Sequence, residues 1–266
     1  MNKTDWFAKA KGPLLLGVVH LQPLPGSPGW AGDLDKLIAR AVADARAYEQ
    51  GGVDALFIEN FGDIPFTKGK VGPETIAAMA VAGRAIAQSV KLPIGFNVLR
   101  NDAQAALALC SACGGSFIRV NVHTGAMLTD QGLIEGDAYG TLRYRRQICP
   151  QAKIFADVHV KHAVPLGNST LEQSAKDTVY RGLADALIIS GSGTGMAALP
   201  ADVECVRRAC PQTKILLGSG VTTQNVSQFL PFADGFIVGT SLKRGGNVAN
   251  PVDRKRVAAL KRAITP

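Results

Sequence analysis

The chain has 266 residues, 47% of them hydrophobic, with 29 basic against 21 acidic side chains and a formal net charge of +8. That size supports one large core. No apolar run approaches the roughly 20 residues of a membrane-spanning helix, and the charges are too scattered and the aromatic residues too few for a nucleic-acid-binding face.

The first apolar run, Leu14–Val19, is too short for a secretory signal and reads as a strand. Strands and helices then alternate eight times. The first strand, Leu14–His20, leads through a Pro/Gly-rich loop to a helix over Asp33–Gln50. The second, Val53–Asn60, precedes a helix opening near Pro73. The third, Leu92–Val98, precedes a helix over Asp102–Cys113. The fourth, Ser116–Val122, precedes a long loop and a helix around Tyr139–Cys149. The fifth, Lys153–His162, precedes a helix near Leu171–Gly182. The sixth, Asp185–Ser190, precedes a helix over Ala201–Cys210. The seventh, Lys214–Ser219, precedes a helix near Thr223–Leu230. The eighth, Gly235–Thr240, precedes a final helix over Pro251–Ile264. Such alternation implies a parallel sheet with crossover helices.

Closure into a (β/α)8 TIM barrel, as a single domain behind a short extension over residues 1–13, is expected from an internal rhythm. Even strands open alike, with Asp54, Asp185 and Asp234 at matching places, and odd strands open on Lys91, Lys153 and Lys214, two βα units apart. The longest loops follow strand C-termini, where barrels carry their function.

Read with a period of two, the fifth strand places Ile154, Ala156, Val158 and Val160 on one face and Phe155, Asp157, His159 and Lys161 on the other. Three ionisable groups at alternate positions require a hydrated or ligand-filled space. Other strands end comparably, with His20, Glu59, Asn97, Arg119, Asn121 and Ser190. Asp157, His159, Glu59, His20 and Lys161 are therefore the candidate catalytic residues, and Asn97, Arg119, Asn121 and Ser190 the candidate substrate-binding ones. Arg119 has a competing reading as the structural counter-ion of Asp157. His123 and His162 read as loop residues. Neither HxH nor HExxH occurs, so no metal or other cofactor is predicted, although His20, Glu59, Asp157 and His159 carry atoms able to hold a divalent ion.

The last three strands end in glycine instead. Gly191, Ser192 and Gly193, then Gly218, Ser219 and Gly220, then Gly239, Thr240 and Ser241 form small-residue loops where barrels grip phosphate, with Lys243 as an added donor. A small phosphorylated substrate is the expected partner, and the barrel is open to homo-oligomer formation. The basic run Arg254–Arg256 with Lys261 and Arg262 reads as a solvated helix face. The five cysteines form no metal-type pairs, and the one CxxC, at Cys110 and Cys113, lies late in a helix. Reduced thiols in a cytoplasmic protein are expected.

The segments Gly17–Gly26, Gly52–Asn60, Gly95–Asn101, Phe117–Asn121, Ala156–His162 and Gly191–Gly195 together resemble the BtpA/SgcQ family over about Leu14–Ile264. The resemblance implies a TIM barrel. One branch of that family is named for photosystem I biogenesis and another is called a nucleosidase, but the resemblance brings no established catalytic residues. Three functions are thus expected in order. The first is an enzyme on a phosphorylated sugar, nucleoside or ribosyl compound, with Asp157 and Glu59 flanking the reacting bond. The second is a Schiff-base aldolase or lyase using Lys161. The third is a non-catalytic assembly factor for membrane complexes such as photosystem I.

Overall fold

A computed structural model describes residues 6–191, 193 and 196–265. The barrel strands are β1 (Leu14–His20), β2 (Ala55–Glu59), β3 (Ile94–Asn97), β4 (Phe117–Val120), β7 (Lys153–Val158), β9 (Ala186–Ile189), β10 (Lys214–Leu217) and β11 (Gly235–Val238). They close in that order, each parallel to its neighbours. Around them lie α1 (Leu34–Gly51), α2 (Pro73–Ser89), α3 (Ala103–Cys113), α4 (Ala138–Ile148), α5 (Leu171–Lys176), α6 (Pro200–Ala209) and α7 (Arg254–Ile264). The TIM barrel expected from the alternation is the fold observed.

The helices begin where the sequence can terminate orphan N–H groups. Asp33, Asp102, Asp137 and Asp253 each cap the helix that follows by accepting a backbone N–H in its first turn. Strand alternation then sorts the core into two layers. Outward residues such as Val19, Ile58, Ile154 and Val158 pack under the helices, while inward residues such as Val18, Phe57, Phe117, Phe155 and Ile237 fill the barrel. The inner layer is aromatic on one side, where Phe117 stacks on Phe155 at 5.1 Å and meets Phe57 edge-on at 4.8 Å. From below, Phe7 closes on Phe155 at 4.6 Å and Trp6 on Phe117 at 5.4 Å, so the segment before β1 plugs the barrel.

The repeated aspartates have a shared physical role. Asp54, Asp185 and Asp234 accept the backbone N–H of Leu15, Ile154 and Ile215 on the neighbouring strand, at 2.7, 2.9 and 2.8 Å. Each also meets a cation: Lys261 for Asp54, Lys153 and Arg145 for Asp185, Arg207 for Asp234. The internal rhythm is therefore a set of clamps that pin strand register at the barrel's lower rim.

Two expectations fail locally. The helix expected near Thr223–Leu230 is only a 3-10 turn at Val226–Gln228. There Asn225 accepts the Thr222 N–H at 2.8 Å and donates to the Gly220 carbonyl at 2.9 Å, a local closure that competes with helix formation. The long loop after β4 instead builds β5 (Ala126–Thr129) and β6 (Gly132–Glu135), which pair with β8 (Ala163–Pro165) into a small antiparallel sheet. Met127 and Ile134 face Val122 and Val160 beneath it. Among the described residues no helix is long and apolar enough to cross a membrane.

Replacing Asp185 by Ala removes the Ile154 N–H acceptor together with both cation contacts. We expect a loss of about 1–3 kcal/mol, read as a lower urea midpoint at unchanged slope.

Candidate active site at the barrel mouth

One two-residue step above the apolar layer, the inward positions change character on every barrel strand. Val18 gives way to His20, Phe57 to Glu59, Phe117 to Arg119, Phe155 to Asp157, Ile188 to Ser190, Leu216 to Gly218 and Ile237 to Gly239, with Asn97 at this level on β3. Strand register sets His20 beside Glu59 and Glu59 beside Asn97. The result is a polar ring on six strands and a gap left by glycine on two.

Asp157 and Arg119 lie at the base of this ring. Arg119 donates from Nε and Nη2 to the two carboxylate oxygens, both at 2.8 Å. Asn121 Nδ2 and Ser190 Oγ add bonds at 3.3 and 3.1 Å, and the Asp157 side chain has 0% of its surface exposed. The two side chains are thus paired as counter-ions. Asp157 lines neither of the two cavities at the mouth, whereas Arg119 lines both.

The first cavity, about 390 Å³, is bounded by His20, Glu59, Phe61, Arg119 and Lys161 on one side and by Gly218–Thr222, Gly239–Ser241 and Arg256 on the other. The second, about 360 Å³, shares Glu59, Phe61, Arg119 and Lys161 and extends over Asn97, Arg100 and Asn121 toward the Asp130–Gln131 hairpin turn. Both fall in the size range of roughly 300–1,000 Å³ usual for small-molecule sites.

Glu59 is oriented by Asn97, whose Nδ2 donates to Oε2 at 2.5 Å, leaving Oε1 toward His20. The His20 imidazole lies 3.8 Å from that oxygen, too far for a hydrogen bond, and its Nδ1 has no partner among the described residues. Burial, then the charges of Lys243 and Lys161, lower its pKa to about 3, so at neutral pH the ring is uncharged and the contact is not an ion pair. Its position depends on Gly239, because a Cβ there would overlap the imidazole. Lys161 makes no side-chain hydrogen bond or ion pair with any described residue. Burial, then Arg119, pull its pKa below the usual lysine range.

The chain matches the BtpA family over residues 11–265. It belongs to that family. The photosystem I biogenesis protein BtpA of Synechocystis is 47% identical over 250 residues, covering 94% of this chain and 87% of that protein. The sgc region protein SgcQ of Escherichia coli is 35% identical over 247 residues, covering 92% and 91%. Among solved structures, orotidine 5'-phosphate decarboxylase from Pyrococcus horikoshii superposes with a TM-score of 0.59 over 94% of this chain and 99% of that one, at 13% identity. At that identity the likeness concerns the barrel alone.

In this BtpA-family chain several expected site residues lie elsewhere. His159 does not share a face with Asp157. β7 ends at Val158, and His159 takes a left-handed φ of 51°, which turns its ring out to Ser174 Oγ at 3.0 Å. One positive φ breaks the period of two. Lys243, expected as a phosphate donor, is buried against Asp44 at 2.9 Å. The cation at the glycine loops is Arg256, held by a bond from Nη1 to the Ser241 carbonyl at 3.1 Å and hidden in the sequence within an ordinary basic run. Ser219 and Ser241 line the cavity, but their hydroxyls donate to the Met196 and Val221 carbonyls at 2.9 and 2.7 Å.

The Gly191 N–H donates to Ser219 Oγ at 3.1 Å, and neither Gly191 nor Gly193 lines either cavity. Ser192 lies outside the described residues. The N–H groups of Gly220 and Val221 bond to no described residue, and both residues line the first cavity. His123 is buried, its Nε2 2.8 Å from the Gly182 carbonyl. Among the described residues, no group of three or more His, Cys, Asp or Glu side chains is placed to hold a metal ion, so His20, Glu59, Asp157 and His159 do not form a ligand set. Sequence reasoning missed Phe61, Arg100 and Arg256, none of which falls on the alternating face of a strand.

An unfolded imidazole binds a proton near pH 6.5, but His20 in the fold does so only near pH 3. Stability therefore falls as pH drops through that window, by up to about 3 kcal/mol from His20 alone at pH 4. His20→Gln is expected to flatten the fall, measured by urea unfolding at pH 7 and 4. His123, His159 and His162, also lowered first by burial, retain the remainder.

Proposed function

We propose that the barrel mouth is an active site for a small phosphorylated sugar or ribosyl compound. One observation carries this reading: a single buried carboxylate and an unpaired lysine stand between two cavities, one of them walled by glycine loops. The phosphate would lie on the first cavity's loops, against the Gly220 and Val221 N–H groups with Arg256 at the rim. Backbone donors at a glycine turn hold a dianion closely without a side chain intervening. The sugar would then reach Glu59, Arg119 and Lys161.

In this scheme Glu59 moves the proton. It faces the cavity, and Asn97 fixes its orientation, as general acid–base work requires. Neutral His20 can relay a proton through its free nitrogen but adds no charge. Arg119, fixed by Asp157, and Lys161 stabilise negative charge that develops on substrate oxygen. Asp157 serves as a positioning residue. A glycosidic mechanism with Asp157 as the second carboxylate is not supported, because that carboxylate is enclosed by its partners.

Lys161 supports a second reading in the same cavity. A half-buried amine with a lowered pKa can add to a substrate carbonyl and, with loss of water, form an iminium that withdraws electrons from the adjacent bond. A non-catalytic assembly role, suggested by the name of the Synechocystis relative, gives no reason to keep a half-buried ammonium without a counter-ion among the described residues.

Ribose 5-phosphate is expected to raise the melting temperature where ribose does not. Saturation at 100-fold above Kd corresponds to about 2.7 kcal/mol. Arg256→Ala should weaken that effect. With a substrate in hand, Glu59→Gln should lower turnover by about 10²–10⁴-fold while binding persists. Borohydride trapping that leaves an adduct on Lys161 would favour the iminium route, and protection without an adduct the electrostatic one.

A further inference from the structure

Six buried side-chain nitrogen or oxygen atoms among the described residues have no hydrogen-bond partner. Three of them belong to residues lining the second cavity: Arg100 Nε, Asn121 Oδ1 and Gln131 Oε1. Buried polar groups are paired in the great majority of cases, and leaving one unpaired costs about 1–3 kcal/mol. Three around one cavity indicate partners supplied by a ligand.

Their surroundings define the ligand's chemistry. Arg100 is 4% exposed and Asn121 2% exposed, so neither can turn to solvent for compensation. Each is already held at its other end. Arg100 Nη2 donates to the Lys161 carbonyl at 2.6 Å, and Asn121 Nδ2 donates to Asp157. Gln131 Nε2 is likewise spent on Asp130 at 2.5 Å. What is left is one cationic donor and two neutral acceptors. Arg100 makes no ion pair with any described residue. The apolar part of the lining is Ile64, Pro65, Phe66 and Leu99, with Phe61 shared with the first cavity.

Hydroxyls could pair with such atoms, but a polyol would set its remaining hydroxyls against the apolar walls. A flat ring bearing a carbonyl beside an N–H satisfies both requirements: the carbonyl accepts from Arg100, an N–H donates to Asn121 or Gln131, and the ring faces meet Phe66 and Pro65. We infer that the second cavity is a subsite for a planar cyclic amide, such as an oxopyrimidine or oxopurine, borne by the phosphorylated sugar. This rests on the proposed function. The phosphate sits in the first cavity, the ring in the second, and the bond joining ring to sugar lies by Glu59 and Lys161, which both cavities share.

The experiment compares ribose 5-phosphate with uridine 5'-monophosphate by isothermal titration calorimetry on the full chain. The expected result is at least tenfold tighter binding of the nucleotide. In Arg100→Lys and Asn121→Leu, with folding checked by circular dichroism, the ratio of the two affinities should fall toward unity. Ribose 5-phosphate binding as tightly as the nucleotide overturns the subsite while leaving the phosphorylated-sugar reading intact. Binding of neither compound overturns that reading, and the subsite with it. The wild-type ratio decides the matter even if a variant fails to fold.

Discussion

The paired bonds between Asp157 and Arg119 govern what every other group at the mouth can do. They commit the only carboxylate on β7 and fix a guanidinium at the junction of both cavities. Ser190 and Asn121 complete the carboxylate's partners from just beyond β9 and β4. A buried ion pair of this kind adds little net stability over an apolar substitute, but losing one partner strands a charge at a cost of about 3–5 kcal/mol. Its value lies in placement. Arg119 cannot swing away, so the charge it offers a ligand is fixed before the ligand arrives.

Glycine supplies the complementary constraint. The layer carrying long polar side chains on β1, β2, β3, β4 and β7 carries none on β10 and β11. A Cβ on Gly218 would come within 2.8 Å of Ser190 Oγ and 3.2 Å of Arg119 Nη2, so the space on this side is reserved for groups reaching across the barrel. Asymmetry of side-chain length opens a cavity at the rim of an otherwise packed barrel. The aromatic stack of Phe57, Phe117 and Phe155 beneath keeps the floor rigid.

The barrel was legible because alternation and repeats are properties of the linear sequence. The polar ring was legible for the same reason: His20, Glu59, Asn97 and Arg119 each lie two residues above an inward apolar position or in register with one that does. Legibility ended where the backbone left the strand. Nothing around His159 announces a left-handed φ, and the period of two carries the ring to the wrong side. Lys243 follows a glycine loop and looks like a phosphate donor, yet its partner, Asp44, lies 199 residues away on α1. Arg256 and Arg100 reach the mouth from a helix and a loop, where strand periodicity says nothing. The turn at Asp130–Gly132, with Gly132 at φ 97°, carries a local signal for the β5–β6 hairpin, one that a reading focused on the barrel strands passes over.

Trp6 and Phe7 wedge into the lower end of the cylinder, against the same rings that form its floor. The vessel is thus stoppered at one end. Among the described residues both cavities lie at the opposite end, beside the β5–β6–β8 sheet and the loop bearing Phe61. A molecule seated in either cavity is therefore screened from the lower end by the aromatic floor and meets solvent only across the rim.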